Sequence, residues 1–490
     1  MISLILFSLI KINEIPSLFS PDFVSSDDRF IYVSSKYGIG IFDKYNFTFK
    51  KGIILKKEPL YVFPDPFTRE IYVYYKDGKL VSFYPEPPFY EQVKGFFPNA
   101  TSFAITPSTI KIRSGDLVKV YDKFSMIETD KNENPIIWWG LKSIVSFESP
   151  EISFLAPFFS LTEDGERINY KLICKDERYY FVCTDGEGVY VYSKDFWRNE
   201  AELKAGGGVK DVMVIVVLDN GEVLIAGKGI FSERKGIVIR KNGKWKRYSR
   251  FHFGINAEEF YSGLSYKNLV ILGSDGKIII YKEGDFKTTL ITRENSRVFA
   301  IKIEPPLIFM GTEEGAFVSD IEGGFINALL KDKEVYSLSL SDNYIYLGLF
   351  QGLFVIRKKD RELFKIVDKK MFLESRIKDI KKDDEGNIWI MSDKGLLKIK
   401  EKSDSFEFFY PVPLPFSPSN FVQNSLYIFD KKIFAGTYKG GFWIYNITFD
   451  RWTHYFDGSG ISERTVYTFN VKKDTLFVGT DLGIYIYRLK

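Results

Sequence analysis

A short hairpin pattern recurs along this chain, and its clearest copy is Leu476-Phe477-Val478-Gly479-Thr480-Asp481-Leu482-Gly483-Ile484-Tyr485-Ile486-Tyr487. Two apolar runs, β-branched and aromatic, flank a tight Asp-Leu-Gly turn, which is the composition of a β-hairpin. Gly483 suits the positive φ of such a turn, and Gly479 leaves room for a neighbouring strand or side chain to come close.

Aligning every copy on the small residue that ends the first run gives twelve register positions: Ser34, Tyr74, Arg113, Gly140, Cys183, Gly227, Gly273, Gly311, Gly348, Met391, Gly436 and Gly479. Neighbours lie 37 to 46 residues apart, except for one gap of 27 between Arg113 and Gly140. Seven of the twelve are glycine, and seven copies also place glycine four residues later, at Gly38, Gly78, Gly315, Gly352, Gly395, Gly440 and Gly483. Each copy adds a preceding strand, such as Val335 to Leu340 or Val466 to Val471, and often a following one, such as Trp452 to Phe456. Four short strands in about forty residues is the length of one propeller blade. A single blade has two apolar faces and cannot hide both, so blades must stack, and radial closure covers them without long exposed edges. No sustained 3.6-residue apolar period supports a helical solenoid, and a sandwich would not explain the fixed register. The expected fold is all-β, tandem β-propellers of four-stranded blades, about twelve blades in total.

Asp384-Glu385-Gly386-Asn387-Ile388-Trp389-Ile390-Met391-Ser392-Asp393-Lys394-Gly395-Leu396 resembles the two-component regulator propeller repeat, and Gly311 to Gly315, Gly436 to Gly440 and Gly479 to Gly483 match its Gly-Thr-x-x-Gly core. The match is good from about residue 220 onward and degenerate before it. The resemblance implies a propeller that receives a ligand or protein partner. In that family tandem propellers often form the extracytoplasmic sensor of a hybrid histidine kinase. This sequence carries none of the later modules, so kinase activity is not expected of it.

Twelve registers exceed one common ring of four to eight blades, so two propellers are expected. Ala205-Gly206-Gly207-Gly208 is the best internal break, giving an N-terminal propeller over 21–208 and a seven-bladed C-terminal one over 209–490; an equal division near residue 250 is the rival. Residues 1–20 read in two ways. The apolar run Ile2 to Ile10 resembles a signal-peptide core, although no basic residue precedes it; it is too short to span a bilayer. Alternatively, a segment such as Leu9 to Ile15 is a strand that covers the open edge of the final blade, which has no fourth strand of its own.

Composition narrows the chemistry. With 68 basic and 64 acidic residues the charge is nearly balanced, so no nucleic-acid partner is expected. His252 and His454 are the only histidines, which excludes a His-rich metal site or a histidine phosphorelay. Few His, Cys, Met and Gln beside abundant Lys and Glu resembles thermophile usage. Cys174 and Cys183 fall on the two arms of one hairpin. A turn at Asp176-Glu177 would oppose Cys174 to Tyr179 and Cys183 to Tyr170, too far out of register for a disulfide. Cys183 is expected to pack where other copies carry glycine.

No nucleophile elbow, phosphate loop or dinucleotide fingerprint is present. The glycines at 206–208 read as a linker. The acidic turns Asp383 to Asn387 and Glu163 to Glu166 lack alternating calcium ligands and read as strand turns. Lys241 to Phe251 mixes basic and aromatic residues as single-strand nucleic-acid grooves do, but reads equally as an outer strand with Lys in water and Trp245 against the next blade. The Asn-x-Thr triplets at Asn46, Asn99 and Asn446 are read as coincidental glycan acceptors. The residues assigned to the repeat are therefore structural: Gly140, Cys183, Gly227, Gly273, Gly311, Gly348, Trp389, Gly395, Gly436, Gly440, Gly479 and Gly483. Catalytic, metal and cofactor residues are assigned to none. The expected function is a monomeric, non-catalytic binding or sensor-like scaffold, periplasmic or secreted, recognising a protein or glycan through its blade loops. Two rivals stand beside it: an enzyme acting on a polysaccharide with carboxylates from different blades, and a cytoplasmic scaffold.

Overall fold

A computed structural model describes residues 9–489 apart from 27–28, 65–69, 85–90, 97–99, 106–108, 115–116, 123–126, 130–134, 138–168, 176–177, 194, 196–198, 230–235, 294–295, 323–324, 403–404 and 456–459. Among the described residues the repeat forms eleven antiparallel sheets, ten of four strands and one of five, and no α-helix. The fold is all-β and built from propeller blades. Eleven of the twelve register positions fall on the second strand of a sheet, and Gly140 lies outside the described residues.

Seven of these blades form a circle. They span 211–248, 262–290, 298–331, 335–366, 377–409, 421–454 and 466–489, and are numbered 1 to 7 here in that order. The inner strand of each touches the inner strand of the next, from Asp211–Val217 through Ser262–Tyr266, Val298–Glu304, Val335–Leu340, Ile377–Lys382 and Phe421–Phe429 to Val466–Lys472, which returns to Asp211–Val217. Blade 7 supplies three strands from its own stretch. Its fourth is Leu9–Pro16, paired antiparallel with Gly483–Leu489 so that Asn13 faces Ile486 and Ile15 faces Ile484.

The recurring glycine has a steric cause. A Cβ at Gly348 would stand 2.7 Å from Ile377, the first residue of the next blade's inner strand. At Gly273, Gly311, Gly436 and Gly479 it would meet Val298, Val335, Val466 and Val212 at 2.2 to 2.8 Å. Glycine at this position therefore sets how closely consecutive blades approach. Met391 is the one large side chain in the series around the circle. It is fully buried in the core that also holds Phe421, and blade 6 answers with a wide bulge, 422–425, on its inner strand.

Each interblade seam holds a core of its own: Tyr346, Leu353 and Val355 of blade 4 pack with Ile380, Ile390 and Ile399 of blade 5. Burying large aliphatic and aromatic side chains in this way contributes about 1.5–3 kcal/mol each. Other pieces of the motif are equally local. In blades 3 and 7 the threonine after the glycine donates to the carbonyl of Gly315 and Gly483, at 3.1 and 2.9 Å, and accepts an amide from inside the turn. Gly483 has φ 148, where a side chain would be strained. In blade 6 the turn is one residue longer, so Gly441 rather than Gly440 receives the Thr437 hydroxyl, at 2.9 Å. Trp389 is buried and its indole N–H donates to Asp383 at 2.7 Å, while Asp383 also accepts amides of Glu385 and Asn387, so the acidic turn holds itself together.

The remaining sheets span 23–54, 59–96, 100–137 and 169–203. The chain thus leaves blade 7 after Pro16, builds these sheets, and returns to blade 1 through 204–210. The two crossings run side by side: the Leu18 amide donates to Ala205 at 2.9 Å, and Gly206 sits against the Pro16 carbonyl. One core, including Ile15, Leu18, Val33, Cys183, Val212 and Ile484, joins both regions. Beside it Glu187 is buried with Lys204, at 3.0 Å, and with Arg247 of blade 1. Burial alone would raise the Glu187 carboxyl, but the two cations hold it below its ordinary value.

The cysteine hairpin differs from its expected register. Cys174 opposes Phe181 and Cys183 opposes Leu172, because the ladder starts at the pair Lys175 and Tyr180 rather than at Cys174 and Tyr179. Cys183 is fully buried. The outer strand expected at Trp452 to Phe456 is Arg451–His454. Glu163 to Glu166 and Asn99 lie outside the described residues.

Candidate functional site: the loop face of the seven-blade circle

Inner strands all begin at the same end of the circle, where the turns between second and third strands also lie. Bonds between the two sets of loops knit this face: the Glu313, Asp393, Tyr438 and Asp481 amides donate to the carbonyls of Arg297, Arg376, Asn420 and Thr465 at 2.9 to 3.2 Å.

Bulges place the side chains at the mouth. In blades 3, 4, 5 and 7 the pairing skips the second residue of the inner strand, namely Phe299, Tyr336, Lys378 and Tyr467. A bulged residue is turned away from the ladder and re-aimed. Tyr261, Phe299 and Tyr336 form an arc with ring centroids 6.5 and 5.4 Å apart. Lys228, Arg297 and Arg376 cover these rings, with cation-to-centroid distances of 4.7, 5.3 and 4.7 Å. Carboxylates complete the layer. The Tyr261 hydroxyl donates to Glu259 and Asp275, at 3.0 and 2.8 Å, and that of Tyr336 donates to Glu334. Burial and Glu334 push the Tyr336 hydroxyl up to about 12, so it remains a donor across the physiological range.

Next to this arc a cleft of about 470 Å³ is lined by Asp332, Lys333, Glu334, Tyr336, Leu349, Phe350 and Gln351. Phe350 is 62% exposed there. An exposed aromatic ring beside carboxylates and an amine can stack on a ligand while fixing its polar groups. Across the mouth, Asp211 of blade 1 and Asp481 of blade 7 influence each other near Tyr467. Burial first, and Asp481 next among the groups that raise it, lift the Asp211 carboxyl above its ordinary value. Burial lifts Asp481 against the opposing charge of Arg464. Asp481 Oδ1 and Arg464 Nε are buried with no hydrogen-bond partner among the described residues.

The described repeat glycines, Cys183 and Trp389 are not part of this mouth chemistry; they pack blades or close turns. Asn46 and Asn446 cap their own turns by accepting amides of Thr48 and Thr448, each at 3.0 Å. The stretch from Lys241 includes the outer strand Lys244–Tyr248, with Lys244 and Lys246 exposed and Trp245 and Arg247 buried. Among the described residues no group of three or more His, Cys, Asp or Glu could hold a metal ion. Sequence reasoning missed Tyr261, Phe299, Tyr336 and Tyr467. For Phe299, Tyr336 and Tyr467 the available signal was an aromatic at the second position of the inner strand, whereas Tyr261 lies just before its strand, Ser262–Tyr266.

No family model matches the sequence, and no curated protein does. Solved structures share the fold. PorZ, a bacterial surface component of the type-IX secretion system of Porphyromonas gingivalis, is 10% identical with a TM-score of 0.61, over 98% of this chain and 87% of that one. The extracellular domain described as that of the hybrid two component system BT3049 of B. thetaiotaomicron is 14% identical with a TM-score of 0.47, over 96% of this chain and 68% of that one. A further extracellular domain from B. thetaiotaomicron, described for the one component system BT4673, is 11% identical with a TM-score of 0.47, over 99% of this chain and 82% of that one. The chain thus shares its fold with PorZ.

Proposed function

We propose that this protein is a non-catalytic, sensor-like binding scaffold of the two-component regulator propeller type, a tandem propeller divided at 204–210, which recognises a protein or glycan through the loop face of its seven-blade circle. The cleft holding exposed Phe350 beside Tyr336, Glu334 and Lys333 carries this reading. Sugar rings stack on such aromatics, and their hydroxyls pair with such carboxylates and amines. A periplasmic or secreted location belongs to the same reading, in keeping with PorZ, a bacterial surface component that shares the fold. No helix among the described residues is long and apolar enough to cross a membrane.

Screening the purified chain against neutral and acidic oligosaccharides and against extracellular protein fractions tests the reading. A ligand is expected whose affinity falls about tenfold or more in Phe350→Ala while thermal stability is unchanged. Ligands insensitive to both Phe350→Ala and Glu334→Gln would contradict it. A second reading, a polysaccharide-active enzyme, is favoured by Asp211 and Asp481, two raised carboxyls from different blades. Turnover of a polysaccharide that is lost in both Asp211→Asn and Asp481→Asn would establish it.

A further inference from the structure

The inner strands of the seven-blade circle enclose a channel of about 330 Å³, reaching from Tyr261 and Phe299 at the mouth down to Lys302, Lys381 and Asn470. This is at the small end of ligand-sized cavities, which run from about 300 to 1,000 Å³. Its contents are polar for a cavity walled by strands. Lys302, Ser339, Lys381 and Asn470 sit four residues after the first residue of their inner strands, at equivalent heights, paired with Phe309, Tyr346, Trp389 and Phe477.

Most of these groups are already engaged. Lys381 Nζ donates to Asp379 at 2.7 Å, and Asp379 is completed by the amides of Ile380 and Leu426, at 2.8 and 2.9 Å. Asn470 donates to the Ile215 carbonyl at 3.1 Å. Asn424, from the wide bulge of blade 6, reaches across to blade 3 and donates to the Phe299 carbonyl at 2.9 Å. The Lys302 amine differs: it has no hydrogen bond to any described residue, while Asp379, the carboxylate facing it, is occupied by Lys381. Burial, then Lys381, push the Lys302 amine down to about 8 against the pull of Asp379, so most of it is still charged at neutral pH. Lys302 is half-buried, and an ammonium in a confined channel whose three donors no described residue takes is well placed to meet an anion.

We propose that the channel holds a small carboxylate-bearing ligand, with the Lys302 ammonium as its counter-ion and the Asn424 and Asn470 side chains flanking it. The carboxylate is the recognised group. The channel site is separate from the Phe350 cleft, so the two readings fail independently.

Titration calorimetry on the full chain, with sodium D-glucuronate, sodium acetate and D-glucose at matched ionic strength, tests this. Glucuronate is expected to bind at one site and glucose not. Acetate binding as well would support the proposal and show that the carboxylate alone suffices. Lys302→Met is expected to weaken binding about tenfold or more, from loss of a charge-assisted hydrogen bond. Lys302→Arg should restore it, and Lys302→Gln gives a second neutral variant should Lys302→Met fold poorly. Phe350→Ala should leave glucuronate binding unchanged. Absence of binding by both carboxylates, equal binding of glucose, or affinity unaltered in the neutral variants would overturn the proposal.

Discussion

The seven-blade circle and the sheets over 23–203 are built from the same unit, yet they use its central position in opposite ways. Around the circle the position is glycine in six of seven blades, and in five of these, all but Gly227, backbone or side chain of the next inner strand occupies the space a Cβ would take. In the other region Ser34, Tyr74 and Cys183 fill that space themselves, and all three are buried. The first arrangement demands one geometry at every seam. The second lets each seam be packed separately, which is why the motif reads clearly after residue 220 and blurs before it.

Adding bulk should expose this contrast most strongly. Gly479→Val places methyl groups where Val212 already stands and is expected to cost about 4 kcal/mol or more, measured by denaturant unfolding. Cys183→Val, which roughly conserves volume at the matching place, should cost less than about 1.5 kcal/mol. Equal costs would break the comparison.

The seam between the regions gives the next effect. Glu187→Gln removes the carboxylate that Lys204 and Arg247 share, although Lys204 keeps Glu202 at 2.8 Å, and should cost about 3 kcal/mol. Because the folded Glu187 carboxyl lies below its ordinary value near 4.5, its contribution is complete above that value and is lost as pH falls through the lower, folded one. Acid unfolding curves of wild type and variant should therefore converge below pH 4.5. A constant separation down to the acid limit would show that the pair is not what couples the regions.

Smaller effects sharpen the role of the turn. Thr480→Val removes the hydroxyl that donates to Gly483 and accepts from Leu482, and is expected to cost about 1 kcal/mol. Thr184, whose hydroxyl donates to Gly188 at 2.9 Å, performs the same task in the other region, so Thr184→Val should cost a similar amount. The blades of Cys183 and Gly479 thus differ at the central residue and agree at the one after it.

Much of the blade was legible because its causes are local. The Gly-Thr-x-x-Gly core, the alternation of its strands and the Asp383 turn depend on residues within about a dozen positions of one another. The mouth and channel were not. Asn424 meets Phe299 across 125 residues, a contact fixed only when the circle closes. Lys302 was hidden for a related reason. In Phe299-Ala300-Ile301-Lys302-Ile303-Glu304 it reads as the polar side of an alternating strand, and only the ring geometry turns that side onto a channel rather than water.

Amide hydrogen exchange across Leu9–Pro16 tests most directly whether this segment is the last strand of blade 7. The amides paired with Gly483–Leu489 should exchange as slowly as those of Thr475–Thr480 in the same sheet, with a shared opening free energy. Complete exchange of Leu9–Pro16 within the first time point, while Thr475–Thr480 stays protected, would contradict the closure described here.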